Sequence, residues 1–444
     1  MSAAARQSER AALRRGWCPG ALRPMPSGDG LIVRLRVVGA LAPNTARAVV
    51  KAAALFGNGH IDLTARANLQ IRGVSERTLP GLQAAMEKLG LIDADPDAEA
   101  ARNILASPLA GLDPNALLDI RPAVAALDRR LRQDRALWRL PAKFGFVVDD
   151  GGSLSVADEP ADIAFAAQRR GGETVFALRL AGRLAGHCAV AAIADAAARL
   201  SMAFLALRGD GEKEARRMKA LAEDIGVEPI LRAAGLDGAA ENGGEGDPRR
   251  GPILGRHDLG VCRALGVGVP FGRLDAAKLA ALVDAAESVD GELRLTPWRA
   301  VMIAGQRVDE TLAPRLREQG FVLDENDPTR AVAACPGAPA CANASTATQA
   351  EAMRLAPLAR KLTSHGVALH VSGCAKGCAR AAATAATLVG RNGKYDVVLD
   401  GCAGDAPALR DVGAGRLDAL LELLAATPRP ERAAALRAFV MERS

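Results

Sequence analysis

The apolar and polar positions repeat one order twice along this chain. Leu31 to Val38 is a strand candidate, and Asn44 then caps a helical pattern that runs to about Phe56. Leu259 to Val269 is a second strand candidate, followed by Asp275 as the cap of a helix to about Ser288. A short strand follows each helix, so both units read strand, helix, strand. Elsewhere, Thr174 to Leu180 and Lys394 to Leu399 read as strands, and Ala189 to Leu207 and Leu417 to Ala426 as helices. The class these patterns predict is α+β with an internal pseudo-twofold.

Residue identities support the duplication. Asp62 to Gly73 lies over Arg294 to Gly305 without gaps, with Leu, Thr, Ile and Gly coinciding. Further along, Arg102 to Pro108 overlays Arg330 to Pro336, and Ser107 then takes the place of Cys335. The segment from about 230 to 256, centred on the Gly- and Glu-rich stretch 239–248, reads as a linker between the halves. The expected domains are 15–80, 98–228, 257–312 and 328–444, with 230–256 between them.

Composition narrows the class of function. Of the 444 residues 49% are hydrophobic and 3% aromatic, which predicts an Ala-, Leu- and Val-rich core. The formal charge of +6 is modest and Arg is spread out, which argues against a nucleic-acid arm, and a polyanionic small molecule is an equally good partner for such a balance. Met1 to Gly20 has no apolar core of a secretory signal, and no apolar stretch approaches 18 residues without charge or Gly. A cytoplasmic, non-membrane protein is expected.

Four cysteines carry the chemistry. They form the pairs Cys335-x5-Cys341 and Cys374-x3-Cys378, each within Gly- and Pro-containing loops. Such paired thiolates suit a cubane [4Fe-4S] cluster, and Gly lets backbone wrap closely around sulfide. Zinc favours tighter spacing in both pairs, and disulfides fit poorly with a chain that shows no secretion signal. Cys18, Cys188, Cys262 and Cys402 are scattered and read as free thiols.

The cysteine pairs on a duplicated scaffold resemble the sulfite and nitrite reductase family. That resemblance covers about residues 15 to 425 and implies two ferredoxin-like half-domains and two larger α/β modules. The blocks Cys18 to Met25, Gly57 to Gly73 and Leu295 to Arg299 are similar to one branch of it, a monooxygenase of aerobic cobalamin biosynthesis. What it implies is meso-carbon hydroxylation of a polycarboxylate tetrapyrrole with lactone formation. Dioxygen is consumed, and electrons come from NADH through a reductase or from ferredoxin. The branch also implies a mononuclear non-haem iron, whose ligands the sequence does not name; His60 with Asp62 is the pair nearest the expected pocket. The alternative implied by the family is a sirohaem-dependent sulfite or nitrite reductase, with Cys378 bridging cluster and haem. A cluster-bearing electron carrier is a third reading.

In the sulfite reductases of that family, basic side chains from the first half surround a small anion. Their motif positions fall here on Arg66, Arg102 and Lys143, and a further reductase lysine is replaced by Gly145. One cation of the anion cage is missing, which disfavours sulfite and makes room for a larger substrate. Arginine forks bind carboxylates bidentately. The expected substrate residues are therefore Arg66, Asn68, Gln70, Arg72, Arg102, Lys143 and Arg299. Alternation along a strand would put Arg66, Asn68, Gln70 and Arg72 on one face and Leu69 and Ile71 on the other. Arg72 and Arg299 read equally well as solvated surface charges.

Overall fold

The computed structural model describes residues 17–211, 214–236, 251–260, 262–363 and 366–441. The expected linker centre at 239–248 lies outside them. The chain divides into two compact units, one made of 17–25 and 32–323, the other of 26–31 and 324–444.

The first half-domain contains β1 (Met25–Ser27), β2 (Gly30–Leu35), β3 (Ala40–Leu41), α1 (Pro43–Phe56), β4 (His60–Leu63) and β5 (Leu69–Val74). The expected cap is displaced: Ala42 is the cap residue and Pro43 opens the helix, its missing N–H costing nothing in a first turn. Asn44 lies inside that turn, where its side-chain oxygen accepts the Thr45 N–H.

The first module follows with β6 (Ile104–Ala106), α2 (Arg121–Gln133), β7 (Phe146–Asp149), β8 (Ile163–Arg170), β9 (Glu173–Leu180), β10 (Arg183–Cys188) and α3 (Ile193–Leu207). Its sheet runs β10-β9-β8-β7-β6, with β6–β7–β8 parallel and the rest antiparallel. Phe144, Phe146 and Phe204 pack between sheet and helices, with ring centroids 5.6 and 4.8 Å apart. Each buried aromatic contributes about 1.5–3 kcal/mol by area, which makes this cluster the anchor of the module. The 18-residue stretch Val190–Leu207 is apolar enough to cross a membrane, but half of it is buried inside this core.

The second half-domain repeats the first: β11 (Gly255–Asp258), β12 (Arg263–Gly268), β13 (Arg273–Asp275), α4 (Ala276–Ser288), β14 (Glu292–Leu295) and β15 (Ala300–Gly305). Asp275 caps α4 as expected, accepting the Lys278 N–H at 2.7 Å. The two half-domains exchange edge strands. β13 adds to the first sheet beside β4, and β3 adds to the second beside β14. Helices α1 and α4 pack together. This reciprocal exchange is the pseudo-twofold expected from the repeat.

The other unit holds the second module: β16 (Val332–Ala334), α5 (Thr348–Ala359), β17 (Leu369–Ser372), β18 (Thr384–Arg391), β19 (Lys394–Gly401), β20 (Leu409–Val412) and α6 (Leu417–Ala426). Its sheet order β16-β17-β18-β19-β20, with the first three parallel, is the topology of the first module again.

Candidate metal centre and substrate residues

Within the second unit, β16 and β17 are adjacent parallel strands, with Ala334 opposite Val371. Both therefore end on the same side, and Cys335 and Cys374 follow directly from those ends. The loop after β16 folds tightly. Gly337 has φ +68°, and a Cβ there would sit 2.3 Å from Thr348 Oγ1, so only glycine fits. The Cys341 N–H donates to the Gly337 carbonyl at 2.8 Å, which bends the second ligand position back toward the first. In the other loop Gly377 has φ +65° between Cys374 and Cys378.

The sulfurs occupy one electrostatic neighbourhood. Burial, opposed by the Lys376 N–H and reinforced by Cys378, Cys341 and Cys335 nearby, pushes the Cys374 thiol up to about 11. Cys335 is buried, and its Sγ accepts the Gly373 N–H at 3.2 Å. Such N–H···S bonds stabilise thiolate charge and tune cluster potential. No disulfide joins any of the eight cysteines. Among the described residues, no three His, Cys, Asp or Glu side chains converge to hold a single metal ion. In a cubane each thiolate takes its own iron, so the four sulfurs need not meet on one centre. These four cysteines fit a [4Fe-4S] cluster.

The same observation bears on the mononuclear iron: the described residues offer no ready ligand set for it. Asp62, paired with His60 in the sequence reading, has both oxygens committed. Arg273 donates to them at 2.7 and 3.0 Å, and Arg72 donates at 3.2 Å.

The expected substrate residues lie in the first unit, and the structure distributes them unevenly. Arg66 is not on the strand. β5 begins at Leu69, and Arg66 sits in the turn Thr64–Asn68, with Ala67 at φ 52°. Thr64 Oγ1 accepts the N–H groups of Arg66 and Asn68, which closes the turn. The second half repeats it: Thr296 Oγ1 accepts the Trp298 N–H, and Arg299 has φ 57°. Period-two alternation failed at Arg66 because a threonine-closed turn interrupts it.

Arg66 Nη2 donates to the Pro160 carbonyl at 2.5 Å, while its Nη1 is buried without a partner. Burial lowers its pKa, as does Arg217, against the pull of Asp162 and Glu159. Gly145 lies alongside: a Cβ there would meet Asn103 Nδ2 at 2.8 Å and Arg66 Nη2 at 3.1 Å. Lys143 is exposed. Asn68 holds the Val37 N–H at 3.2 Å, and Gln70 turns its amide oxygen to the Arg34 guanidinium at 2.8 and 3.1 Å. Leu69 and Ile71 are fully buried, as expected.

Arg72 is neither solvated nor open. Its side chain is 2% exposed against Asp62. Arg102 is equally buried, between Asp93 at 2.9 Å and Asp128 at 3.1 Å. Arg299 is half-buried and packs against Gly272. The sequence reading missed Arg34 and Arg36, although two arginines at period two inside the apolar run Leu31–Val38 mark one face of a strand.

Comparison with known proteins agrees with this architecture. Residues 23–89 and 256–312 match the nitrite/sulfite reductase ferredoxin-like half domain. Residues 97–239 match the nitrite and sulphite reductase 4Fe-4S domain. That second match covers the module without the cysteine pairs; the pairs lie in the other copy of the same topology. A precorrin-3B synthase from Sinorhizobium sp is 32% identical over 90% of this chain and 85% of its own length. An assimilatory ferredoxin-dependent nitrite reductase from Haloferax mediterranei is 27% identical over 81% of this chain and 67% of its own. Among solved structures, the Mycobacterium tuberculosis NirA protein superposes with TM-score 0.72 at 21% identity, covering 93% of this chain and 84% of its own.

Proposed function

Because the chain belongs to the nitrite and sulfite reductase family, we propose that it is the oxygen-dependent monooxygenase that converts precorrin-3A to precorrin-3B. Gly145 carries the reading. In the reductases a second lysine stands there and completes a cage around a small anion. Here a Cβ at that position would press on Arg66 and Asn103, so no lysine could share the space without displacing Arg66. The cation count around a bound sulfite falls, and the developing oxyanion loses stabilisation. A polycarboxylate tetrapyrrole instead spreads its charge over separate acetate and propionate groups, which single arginines can meet.

Cys335, Cys341, Cys374 and Cys378 would hold the cluster, which supplies electrons one at a time. Arg66, Gln70, Lys143 and Arg299 would orient the substrate, Asn68 would hold the backbone beside them through the Val37 N–H, and the buried pairs of Arg72 and Arg102 would hold the walls. One oxygen atom of dioxygen enters the meso carbon and the other leaves as water, after which an acetate closes to a lactone. Electrons arrive from ferredoxin, or from NADH through a reductase. A cytoplasmic location belongs to the same reading, since thiolate ligands need a reducing compartment.

The test supplies an artificial electron donor with precorrin-3A and dioxygen, or with sulfite or nitrite. Oxygen-dependent conversion of the tetrapyrrole is expected. Brisk sulfide or ammonia production without it would establish the sirohaem-dependent reductase instead.

A further inference from the structure

A cavity of about 820 Å³ opens in the first unit between the first half-domain, the loop after β6 and the start of the second half's β14. Its size suits a large organic ligand. Five arginines line it: Arg36, Arg102, Arg121, Arg132 and Arg294. Four have partners already. Arg102 and Arg132 share Asp93 and Asp128. Arg121 pairs with Asp119, and Arg294 with Glu292 and the carbonyls of Pro108 and Ala110.

Arg36 differs. It is 5% exposed, and its Nε and Nη1 have no hydrogen-bond partner. Burial, with Arg34 and Arg102 nearby, pulls its pKa down to about 10 against the pull of Glu99 and Cys18, so it still carries its charge at neutral pH. The backbone beside it is pinned, because the Val37 N–H donates to Asn68 Oδ1. A buried guanidinium with idle donors is costly to keep. It repays that cost when a ligand brings the missing carboxylate.

We propose that Arg36 anchors one acetate or propionate group of the tetrapyrrole in this cavity. The inference rests on the tetrapyrrole reading above and adds to it a carboxylate-reading residue and a place in the fold. Asn68 then acts as a positioning residue, holding the backbone next to Arg36 rather than touching substrate through its oxygen.

The experiment is an anaerobic equilibrium titration of the cluster-loaded protein with precorrin-3A and with its methyl ester. Arg36→Gln and Arg36→Lys are compared with the parent, and ligand-free thermal unfolding is recorded for each. For the free acid, Arg36→Gln should bind roughly ten- to a hundredfold more weakly, the loss of one charge-assisted contact, with Arg36→Lys between. The ester should bind the parent weakly and Arg36→Gln no worse. Ligand-free Arg36→Gln should unfold at the same or a higher temperature, because an unpaired buried charge is gone. A parent that binds and an Arg36→Gln variant that binds equally well would overturn the role of Arg36 alone. So would a fall in ligand-free unfolding temperature shared by both variants, which marks a structural arginine. A parent that does not bind precorrin-3A would overturn the tetrapyrrole reading and this inference with it.

Discussion

Ser107 and Cys335 occupy the same structural position in the two modules. The Asp150 N–H donates to the Ser107 hydroxyl at 3.0 Å, and the Gly373 N–H donates to the Cys335 sulfur at 3.2 Å. Their own amides bond to Val148 and Val371, which pair with the preceding residue in each parallel sheet. Counting on from these anchors, Asp113, Gly151 and Ser155 stand where Cys341, Cys374 and Cys378 stand in the other module. Oxygen-based bonds close the first module's loops. Asp149 accepts from Ser107, Gly151 and Val156, and Asp113 accepts from Asn115 and Ser153.

This equivalence predicts that Ser107→Cys gains no second cluster, since the other three ligand positions lack thiols. Iron per chain should stay at the parent's value. Ser107→Ala should cost about 1–2 kcal/mol in denaturant unfolding, by leaving a buried N–H without its acceptor. A doubled iron content in Ser107→Cys would refute the assignment.

Cys374→Ser should abolish the broad near-ultraviolet and visible absorption of the cluster and its reduced-state paramagnetic signal. Cys402→Ser should leave both intact, because the Cys402 thiol donates to Asp405 within its own hairpin. Retention of a full cluster in each of the four single variants at Cys335, Cys341, Cys374 and Cys378 would exclude them as ligands.

Asp150 is 1% exposed, and burial pushes its carboxyl up to about 6. The sign follows from linkage. Below pH about 4 both folded and unfolded chains hold the proton, and the group is neutral to stability. Between about 4 and 6 the unfolded chain releases it first, so stability falls as pH rises, with a full cost of at most about 3 kcal/mol above that window. Asp150→Asn should remove this slope and stabilise the protein at neutral pH by about 1–3 kcal/mol. Unfolding midpoints at pH 4.5 and 7 decide the matter; an unchanged slope in the variant would count against it.

Asp62 ties the two half-domains together, joining Arg72 on β5 to Arg273 on the exchanged strand β13. Asp62→Asn should cost about 2–4 kcal/mol, somewhat under the figure for a fully buried pair because the carboxylate retains some contact with water. Arg72→Met in that background should recover part of the loss, since the uncompensated buried charge disappears. Additive destabilisation in the double variant would contradict this account.

Arg66→Ala should weaken precorrin-3A binding roughly ten- to a hundredfold with cluster absorption unchanged. Gly145→Lys should lower turnover by displacing Arg66. Equal turnover in Gly145→Lys would show that the substrate does not depend on the position of Arg66.

The sequence by itself determined the duplication and the strand–helix–strand order, and it marked the four cysteines proposed as cluster ligands. Each of these is written locally. Hydrophobic period, the Asp275 cap, matched blocks and ligand spacing survive in one dimension, and glycine marks the turns that need it. The register between Leu63 and Leu69 recurs between Leu295 and Val301 because the intervening turns have equal length. Tertiary structure alone decided which arginines are spent and which are open. Arg72 and Arg102 look like Arg66 in the sequence, yet Asp62, Asp93 and Asp128 neutralise them. Arg36 lies in an apolar run that reads as core. Whether a guanidinium meets a carboxylate depends on folding distant residues to within about 3 Å, a distance that local periodicity does not encode.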